Sequence, residues 1–182
     1  EVSRILSKWR WVPSLNFINS YHDEENYISA LSDSIKDKLN EISPQKLIFS
    51  YHGIPKRNFT EGDPYHCFCI KTTRLVAEKL NLKEDQYMTT FQSRFGKAEW
   101  LKPYTSETME NLPKEGIKNI LVVAPGFSVD CLETVEEIDE ENKEIFIKAG
   151  GEKFNYVPCL NDSDLHVKFI KLFQNKKISI WK

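Results

Sequence analysis

Long apolar runs, a strong charge of either sign and a dense set of cysteines are all lacking in this sequence of 182 residues. No apolar stretch approaches the ~20 residues that a membrane-spanning helix needs, and no signal peptide is visible. The net charge of -2 at pH 7 gives no reason to expect a nucleic-acid partner, which normally requires a basic surface. We therefore expect a cytoplasmic protein without nucleic-acid partners, and peripheral association with a membrane stays open.

The four cysteines are too few for the disulfide framework of a secreted domain of this size, so a reducing compartment is expected. They are Cys67, Cys69, Cys131 and Cys159. Only one residue separates Cys67 from Cys69, whereas zinc-binding pairs usually have at least two intervening residues. An iron–sulfur cluster would need all four thiols. Ordinary thiols without an iron–sulfur cluster are expected.

Glycine-rich motifs are missing as well. Neither G-x-G-x-x-G nor G-x-x-x-x-G-K occurs, so a nucleotide site built on a phosphate-cradling loop is not expected. The nucleophile elbow G-x-S-x-G is also missing, which disfavours hydrolases of that class. The hydrophobic fraction of 40% and the charged fraction of 29% are those of a globular protein, and the length suits one domain with a full core.

What the sequence does contain is an alternation of strand and helix patterns. Short apolar runs predict strands at residues 46–51, 87–91, 120–124 and 154–157, and a further short strand is predicted at 12–18. Amphipathic patterns predict helices at residues 23–39, 64–80, 106–116, 130–149 and 163–173. This alternation predicts an α/β fold, with an open parallel sheet flanked by helices on both faces.

The acidic stretch after the third of these main strands is the most unusual feature. Residues 130–144 contain eight carboxylates and a single lysine. A helix there would place a set of apolar residues on one side: Leu132, Val135, Ile138, Ile145 and Phe146. Glu133, Glu137 and Glu141 would form a ladder of like charges, which destabilises a helix, while Asp139 would fall on the apolar side without an evident partner. Because open α/β sheets bind ligands at the carboxyl ends of their strands, we interpret the ladder as a site for cations or protons; a solvated acidic face is the alternative.

His52 is the most informative single residue, because it directly follows the predicted strand at 46–51. Gly53 and Pro55 indicate a rigid turn that directs the imidazole outward, although a hydrogen-bonded structural histidine is the alternative. Together with Glu133, His52 would form a nitrogen–oxygen pair that suits a transient Fe²⁺ or Zn²⁺ and proton abstraction. Aromatic residues near the strand ends suit a flat apolar substrate, although core packing explains them equally well: Tyr51, Phe91, Trp100 and Phe127.

Five motifs follow one another along the chain: SYHGIP at 50–55, GDPY at 62–65, FQSRFG at 91–96, WLKP at 100–103 and PGFSVDCLET at 125–134. Together they resemble the ferrochelatase family, most closely the form found in Gram-negative-type bacteria. The family inserts Fe²⁺ into a porphyrin, normally protoporphyrin IX, and folds as two similar α/β lobes with the porphyrin between them. The resemblance implies that residues 46–182 are the second, chelatase-like (Rossmann-like) lobe. Residues 1–45 would then be a lead-in strand and connecting helix from a first lobe that is missing here.

The resemblance also implies roles for individual residues. His52 and Glu133 would be catalytic, and the same two residues with Glu137 and Glu141 would handle the metal. The four aromatic residues named above would contact the porphyrin. Fe²⁺ would be a substrate, no cofactor would be permanently bound, and the partners would be protoporphyrin IX, ferrous iron and the missing amino-terminal lobe.

Two positions depart from the family pattern, because Cys131 stands where many members have histidine and Phe91 stands where others have tryptophan. Without the first lobe, the fragment is expected to be inactive by itself. Two alternatives stay open at this point. One is a related chelatase that uses Co²⁺ or Ni²⁺ with another tetrapyrrole, and the other is a non-catalytic module that binds a metal or haem.

Overall fold

A computed structural model describes residues 1–13, 15 and 17–179, and its centre is one parallel sheet of four strands. The strands are β1 (Lys46–His52), β2 (Tyr87–Gln92), β3 (Asn119–Val123) and β4 (Lys153–Val157). Their order is β2–β1–β3–β4, and every neighbouring pair is parallel. The predicted α/β fold with an open parallel sheet is confirmed.

Helices connect the strands and cover both faces of the sheet. They are α1 (Val2–Leu6), α2 (Glu25–Ile42), α3 (Lys56–Thr60), α4 (Tyr65–Lys79), α5 (Thr105–Asn111), α6 (Leu132–Val135), α7 (Lys143–Lys148) and α8 (Asp164–Ser179). A π-helical segment, Glu137–Asn142, lies between α6 and α7. None of the helices in the described ranges is long and apolar enough to cross a membrane.

Two hydrophobic clusters sit on opposite faces of the sheet, because successive side chains of a strand point to opposite sides. Leu47, Phe49 and Tyr51 of β1 belong to the cluster covered by α2, α4 and α8. Ile48, between them, belongs to the cluster covered by α5, the π-helical segment and α7. Ser50 and His52 lie on the same face of β1 as Ile48, because they are two and four residues further along the strand. The end of β1 therefore presents His52 on the face covered by the acidic helix, which consists of α6, the π-helical segment and α7.

The short strand predicted at residues 12–18 is wrong for the described part of that range. Residues 12, 13, 15, 17 and 18 have no strand conformation, and Ser14 and Asn16 lie outside the described residues. Trp11 is 87% exposed, and Val12 and Phe17 are also exposed. An apolar pattern produces a strand only where a neighbouring strand supplies hydrogen bonds, and no described strand lies beside this segment.

The acidic helix is not the continuous α-helix that the sequence pattern predicts. The N–H of Glu141 donates to the carbonyl of Glu136 at 2.9 Å, which is the i→i−5 bond of a π turn. In a regular α-helix, side chains four residues apart differ in direction by about 40° around the helix axis. The wider π turn brings such side chains to nearly the same direction. The buried stripe accordingly runs at four-residue spacing: Thr134, Ile138, Asn142 and Phe146.

The predicted apolar side is therefore wrong at its first two members. Leu132 is 72% exposed and Val135 is also exposed, while Ile138 and Phe146 are fully buried. The reason is that α6 lies at the carboxyl end of the strands, where the sheet has ended and offers the helix no apolar surface. Asp139 does have a partner, since its carboxylate lies 3.4 Å from the ammonium of Lys143 one turn later.

Candidate active site

The strand order creates a crevice at the carboxyl ends of β1 and β3. From β1 the chain continues to β2 on one side, and from β3 it continues to β4 on the other side. The connections therefore leave these two neighbouring strands in opposite directions, which is the arrangement that opens a ligand-binding crevice in α/β sheets. His52 ends β1, and Phe127 follows β3, with ring centroids 6.3 Å apart.

His52 has one ring nitrogen committed and one available. Its Nδ1 lies 2.6 Å from the carbonyl oxygen of Gly53, and a carbonyl oxygen only accepts, so Nδ1 carries the proton. In the neutral imidazole Nε2 is then the basic nitrogen, and it makes no hydrogen bond to any residue in the described ranges. The ring lies between Trp100 and Phe127, at 6.3 Å from each centroid. This nitrogen can take a proton or bind a metal.

The turn after His52 requires glycine, because the backbone of Gly53 packs directly against its neighbours. Its N–H donates to the carbonyl of Gln92 at 2.8 Å. A Cβ atom at this position would lie 2.9 Å from that same oxygen and 3.1 Å from the Trp100 ring. The hydroxyl of Tyr65 donates to the carbonyl of His52 at 2.9 Å, so the backbone on both sides of the imidazole is fixed.

Glu133 lies in the first turn of α6 and faces the crevice end of the sheet. A hydrogen bond from the thiol of Cys131 lowers the pKa of the Glu133 carboxyl, and backbone N–H donation and the nearby His52 imidazole lower it further. The carboxylate is therefore ionised over the physiological pH range, and it is close enough to His52 for their charges to interact. The structure brings together the two residues that the sequence analysis paired.

The other members of the acidic ladder differ from Glu133 and from each other. Glu137 accepts three hydrogen bonds, from the N–H and hydroxyl of Ser93 at 2.6 Å each and from Gln92 Nε2 at 3.3 Å. Glu141 is exposed. Within the described part of the chain, no three histidine, cysteine, aspartate or glutamate side chains are grouped so that they could hold a metal ion. The metal role of the whole ladder stays a prediction.

The four aromatic residues predicted to contact a flat substrate do not lie together. Trp100 and Phe127 flank His52, whereas Tyr51 and Phe91 pack in the hydrophobic cluster on the opposite face of the sheet. Tyr51, Phe91 and Trp100 are buried, and Phe127 is partly exposed. Their contact with a porphyrin stays a prediction.

Exposed apolar side chains beside the crevice were missed by the sequence reasoning. Phe95 is 74% exposed, and its ring centroid lies 5.0 Å from that of Trp100. Val129 and Leu132, in and after the loop that follows β3, are also exposed. The signal for them was their position directly after the strand-end motifs, where apolar residues have no sheet to cover.

A second feature missed from the sequence is the partly buried carboxylate that holds the start of α6. Asp130 accepts hydrogen bonds from Asn161 Nδ2 at 2.7 Å, the Tyr156 hydroxyl at 2.9 Å, Thr134 Oγ1 at 3.1 Å and the Cys159 N–H at 3.2 Å. Burial opposes ionisation of Asp130, but these hydrogen bonds outweigh it, so the pKa of Asp130 is lowered. The loop after β4 therefore fixes where the helix carrying Glu133 begins.

Known proteins include relatives of this chain. The sequence model of the ferrochelatase family matches residues 1–177. Over 167 residues, 91% of the chain, the sequence is 58% identical to Ferrochelatase 2 of Shewanella oneidensis and covers 51% of that protein. It is 57% identical to the ferrochelatase of Hydrogenovibrio crunogenus over 91% of the chain and 44% of that protein. It is 49% identical to the ferrochelatase of Pseudoalteromonas atlantica over 99% of the chain and 50% of that protein. The chain spans about half the length of these curated relatives, and it belongs to the ferrochelatase family.

Proposed function

We propose that this chain is the carboxyl-terminal half of a ferrochelatase and that the complete polypeptide inserts Fe²⁺ into protoporphyrin IX. The observation that carries the proposal is the unbonded Nε2 of His52, which shares the crevice between β1 and β3 with the ionised carboxylate of Glu133. Family membership supports the same conclusion independently of this geometry.

The reaction has two chemical requirements, and the two residues answer them. Two N–H protons must leave the porphyrin, and a base whose lone pair is not engaged by the protein can accept a proton. A hydrated divalent iron must also reach the centre of the ring. A mixed set of imidazole nitrogen and carboxylate oxygen suits Fe²⁺, and only two protein ligands leave the metal free to transfer. Fe²⁺ is therefore a substrate in this proposal, and no resident cofactor takes part.

The rest of the ladder takes unequal parts in the proposed metal traffic. Glu141 is exposed and is available to attract hydrated cations towards the crevice. Glu137 is proposed as the intermediate position between Glu141 and Glu133, although its oxygens already accept hydrogen bonds from Gln92 and Ser93. A metal ion at Glu137 would have to displace at least one of these donors.

Phe127 and Trp100 are proposed as the side chains that meet the porphyrin, since both flank His52. The macrocycle is flat and apolar, and it would stack on or pack against aromatic surface. Tyr51 and Phe91 are buried behind the crevice, where they would support this wall from the opposite face of the sheet.

We propose that residues 46–182 form the second lobe and that residues 1–45 lead into it from a first lobe. The exposed apolar side chains Trp9, Trp11 and Phe17 support this division, because an apolar surface of this kind normally marks an interface. A first lobe would supply the second wall of the cleft, so the 182 residues are expected to be inactive alone. A cytoplasmic location and peripheral contact with a membrane complete the proposal.

The test uses the full-length protein with ferrous iron and protoporphyrin IX under anaerobic conditions, followed by visible absorption. His52→Ala and Glu133→Gln are each expected to reduce turnover by about 10²-fold or more, since general-base catalysis contributes ~10²–10⁴-fold. Glu136→Gln, an exposed neighbour on the same helix, is the matched control and is expected to keep the wild-type rate.

Three outcomes would contradict the proposal. Wild-type turnover by both variants would show that His52 and Glu133 are not the catalytic residues. Metallation with Co²⁺ or Ni²⁺ but not with Fe²⁺ would favour a related chelatase. Binding of iron or porphyrin without any metallated product would favour a non-catalytic module.

A further inference from the structure

Among the residues that the structure describes, Gln92 is the one whose hydrogen bonds reach both the backbone of Glu133 and the backbone next to His52. It ends β2 and lies directly opposite His52 in the register of β1 and β2. Its side chain is 3% exposed, so every polar atom of its amide must find a partner within the protein. The sequence analysis assigned no function to this glutamine.

The main chain of Gln92 holds the His52 side of the crevice. Its carbonyl accepts the hydrogen bond from the N–H of Gly53 at 2.8 Å. Gly53 is also the residue whose carbonyl receives the proton-bearing Nδ1 of His52 at 2.6 Å. The position of Gly53 therefore affects both the direction of the imidazole and the exposure of its basic nitrogen.

The side chain of Gln92 forms hydrogen bonds on the side of the crevice where Glu133 lies. Its Nε2 donates to the backbone carbonyl of Glu133 at 2.6 Å and lies 3.3 Å from the carboxylate of Glu137. Its Oε1 accepts the hydroxyl of Ser50 at 2.7 Å. Because a carbonyl and a carboxylate only accept, and the Ser50 hydroxyl donates, these partners allow a single orientation of the amide.

The helix that carries Glu133 depends on contacts of this kind. α6 is the first part of a helix that continues through the π-helical segment and α7, and the first turn of a helix has few hydrogen bonds of its own to hold it in place. Loss of the Gln92 amide would leave the Glu133 carbonyl without this donor and the Ser50 hydroxyl with Thr105 Oγ1, at 2.9 Å, as its remaining partner. A carbonyl that loses its donor inside the protein is unfavourable, and a local shift of α6 would relieve this.

We infer that Gln92 is a positioning residue: it sets the separation of His52 and Glu133 by bonding to the backbone of both arms of the crevice. The inference rests on the proposed function for its effect on turnover, but its effect on the acidic helix can be measured without any reaction. Misplacement of a reacting group by about 1 Å can reduce a rate by 10²-fold, so a small movement of α6 is sufficient.

The test compares Gln92→Met and Ser50→Ala with the wild type, all in the full-length protein. Methionine keeps the length of the side chain without the amide, and Ser50→Ala leaves the amide but removes the hydroxyl that orients it. Gln174→Met, an exposed glutamine of α8, is the control. Hydrogen–deuterium exchange is followed in the peptides that cover residues 131–148 and in those that cover β1 and β3.

The expected result for Gln92→Met is at least tenfold faster exchange in residues 131–142, with unchanged exchange in β1 and β3. Ser50→Ala is expected to show the same local change to a smaller extent. In the metallation assay, kcat should fall about 10–100-fold while the KM values for porphyrin and iron stay within twofold, because a displaced catalytic group weakens the transition state rather than substrate binding.

Two results would overturn the inference: unchanged exchange and kcat in Gln92→Met, or exchange that accelerates equally throughout the sheet. If Gln92→Met fails to fold, the local exchange in Ser50→Ala decides, and its absence rejects the inference. If the wild type shows no metallation, the proposed function fails while the exchange data still support or reject the positioning of the helix.

Discussion

Ser93 donates two hydrogen bonds to the carboxylate of Glu137, from its backbone N–H and from its hydroxyl, each at 2.6 Å. Ser93 adopts a positive φ of 63°, a conformation that a serine rarely takes and that here accompanies donation from both groups to one carboxylate. Together with the hydrogen bond from Gln92, this contact ties the end of β2 to the acidic helix.

Glu137→Gln is expected to lower the free energy of unfolding by about 1–3 kcal/mol, because an amide has one accepting oxygen and cannot accept from all three donors of Ser93 and Gln92. Urea unfolding of the 182-residue chain, monitored by circular dichroism, measures this. Glu141→Gln, the exposed next member of the ladder, is the control and should change stability by no more than about 0.5 kcal/mol. Equal effects of the two substitutions would show that the Ser93 contact contributes nothing.

Gly53→Ala is expected to destabilise the chain by about 1–3 kcal/mol, the usual cost of overpacking, because the new methyl group would press on the Gln92 carbonyl and the Trp100 ring. Gly126→Ala is a close control: its Cβ would meet Tyr51 at 3.5 Å, an ordinary contact. Thermal unfolding of both variants tests the difference. A Gly53→Ala protein as stable as Gly126→Ala would mean that the two strand ends are not packed as tightly as described.

Asp130→Asn is expected to lower the free energy of unfolding by about 1–3 kcal/mol near pH 7. The new NH₂ group would face the side-chain NH₂ of Asn161, and two donors cannot bond to each other. The folded-state pKa of Asp130 is lowered, so its ionisation stabilises the fold above the unfolded-state pKa, and this contribution is lost as pH falls through the folded-state value. The gap between wild type and variant should thus be constant above about pH 5 and shrink below about pH 4.

Urea titrations of the 182-residue chain at several pH values measure this gap. Asp162→Asn, an exposed change in the same loop, should show no such pH dependence. A gap that grew as the pH fell would contradict the hydrogen-bonding scheme around Asp130.

Thiol reactivity is expected to separate the cysteines by their burial. Burial raises the pKa of Cys69 and of Cys159 to about 12, while Cys67 is exposed. Since the thiolate is the reacting species, a rise of about three pKa units reduces it roughly 10³-fold. With iodoacetamide at pH 8, mass spectrometry should find Cys67 modified first, and Cys69 and Cys159 modified quickly only in denaturant. Equal rates for Cys67 and Cys69 in the folded chain would contradict this.

The four strands and the proximity of His52 to Glu133 could be predicted from the sequence. Short apolar runs between turn residues define the strands, and parallel strands bring their carboxyl ends to one edge. The separation of Tyr51 from His52 was also within reach, because neighbours on a strand point to opposite faces. Grouping the aromatic residues by nearness in the sequence obscured it.

Other parts of the site depend on contacts that leave no local pattern. Asp130 bonds to Tyr156 and Asn161, which follow it by 26 and 31 residues, and nothing near any of the three predicts the others. In the wide turn at Glu137–Asn142, one N–H can donate to either of two carbonyl oxygens, and packing on the sheet determines which oxygen accepts. The segment at residues 12–18 has a strand pattern, but no strand in the described ranges pairs with its described residues.

That wide turn gives the acidic helix one residue more than a regular helix would need to cover the same distance. Deleting a single residue between Glu136 and Lys143 would restore ordinary winding and keep Phe146 in its place on the sheet. Everything before the deletion, Glu133 included, would then keep nearly its present direction, because the lost residue and the lost wide turn cancel at about 100° each. The wide turn therefore compensates for the extra residue, and a regular helix of the present length would direct Glu133 about 100° away from its observed direction.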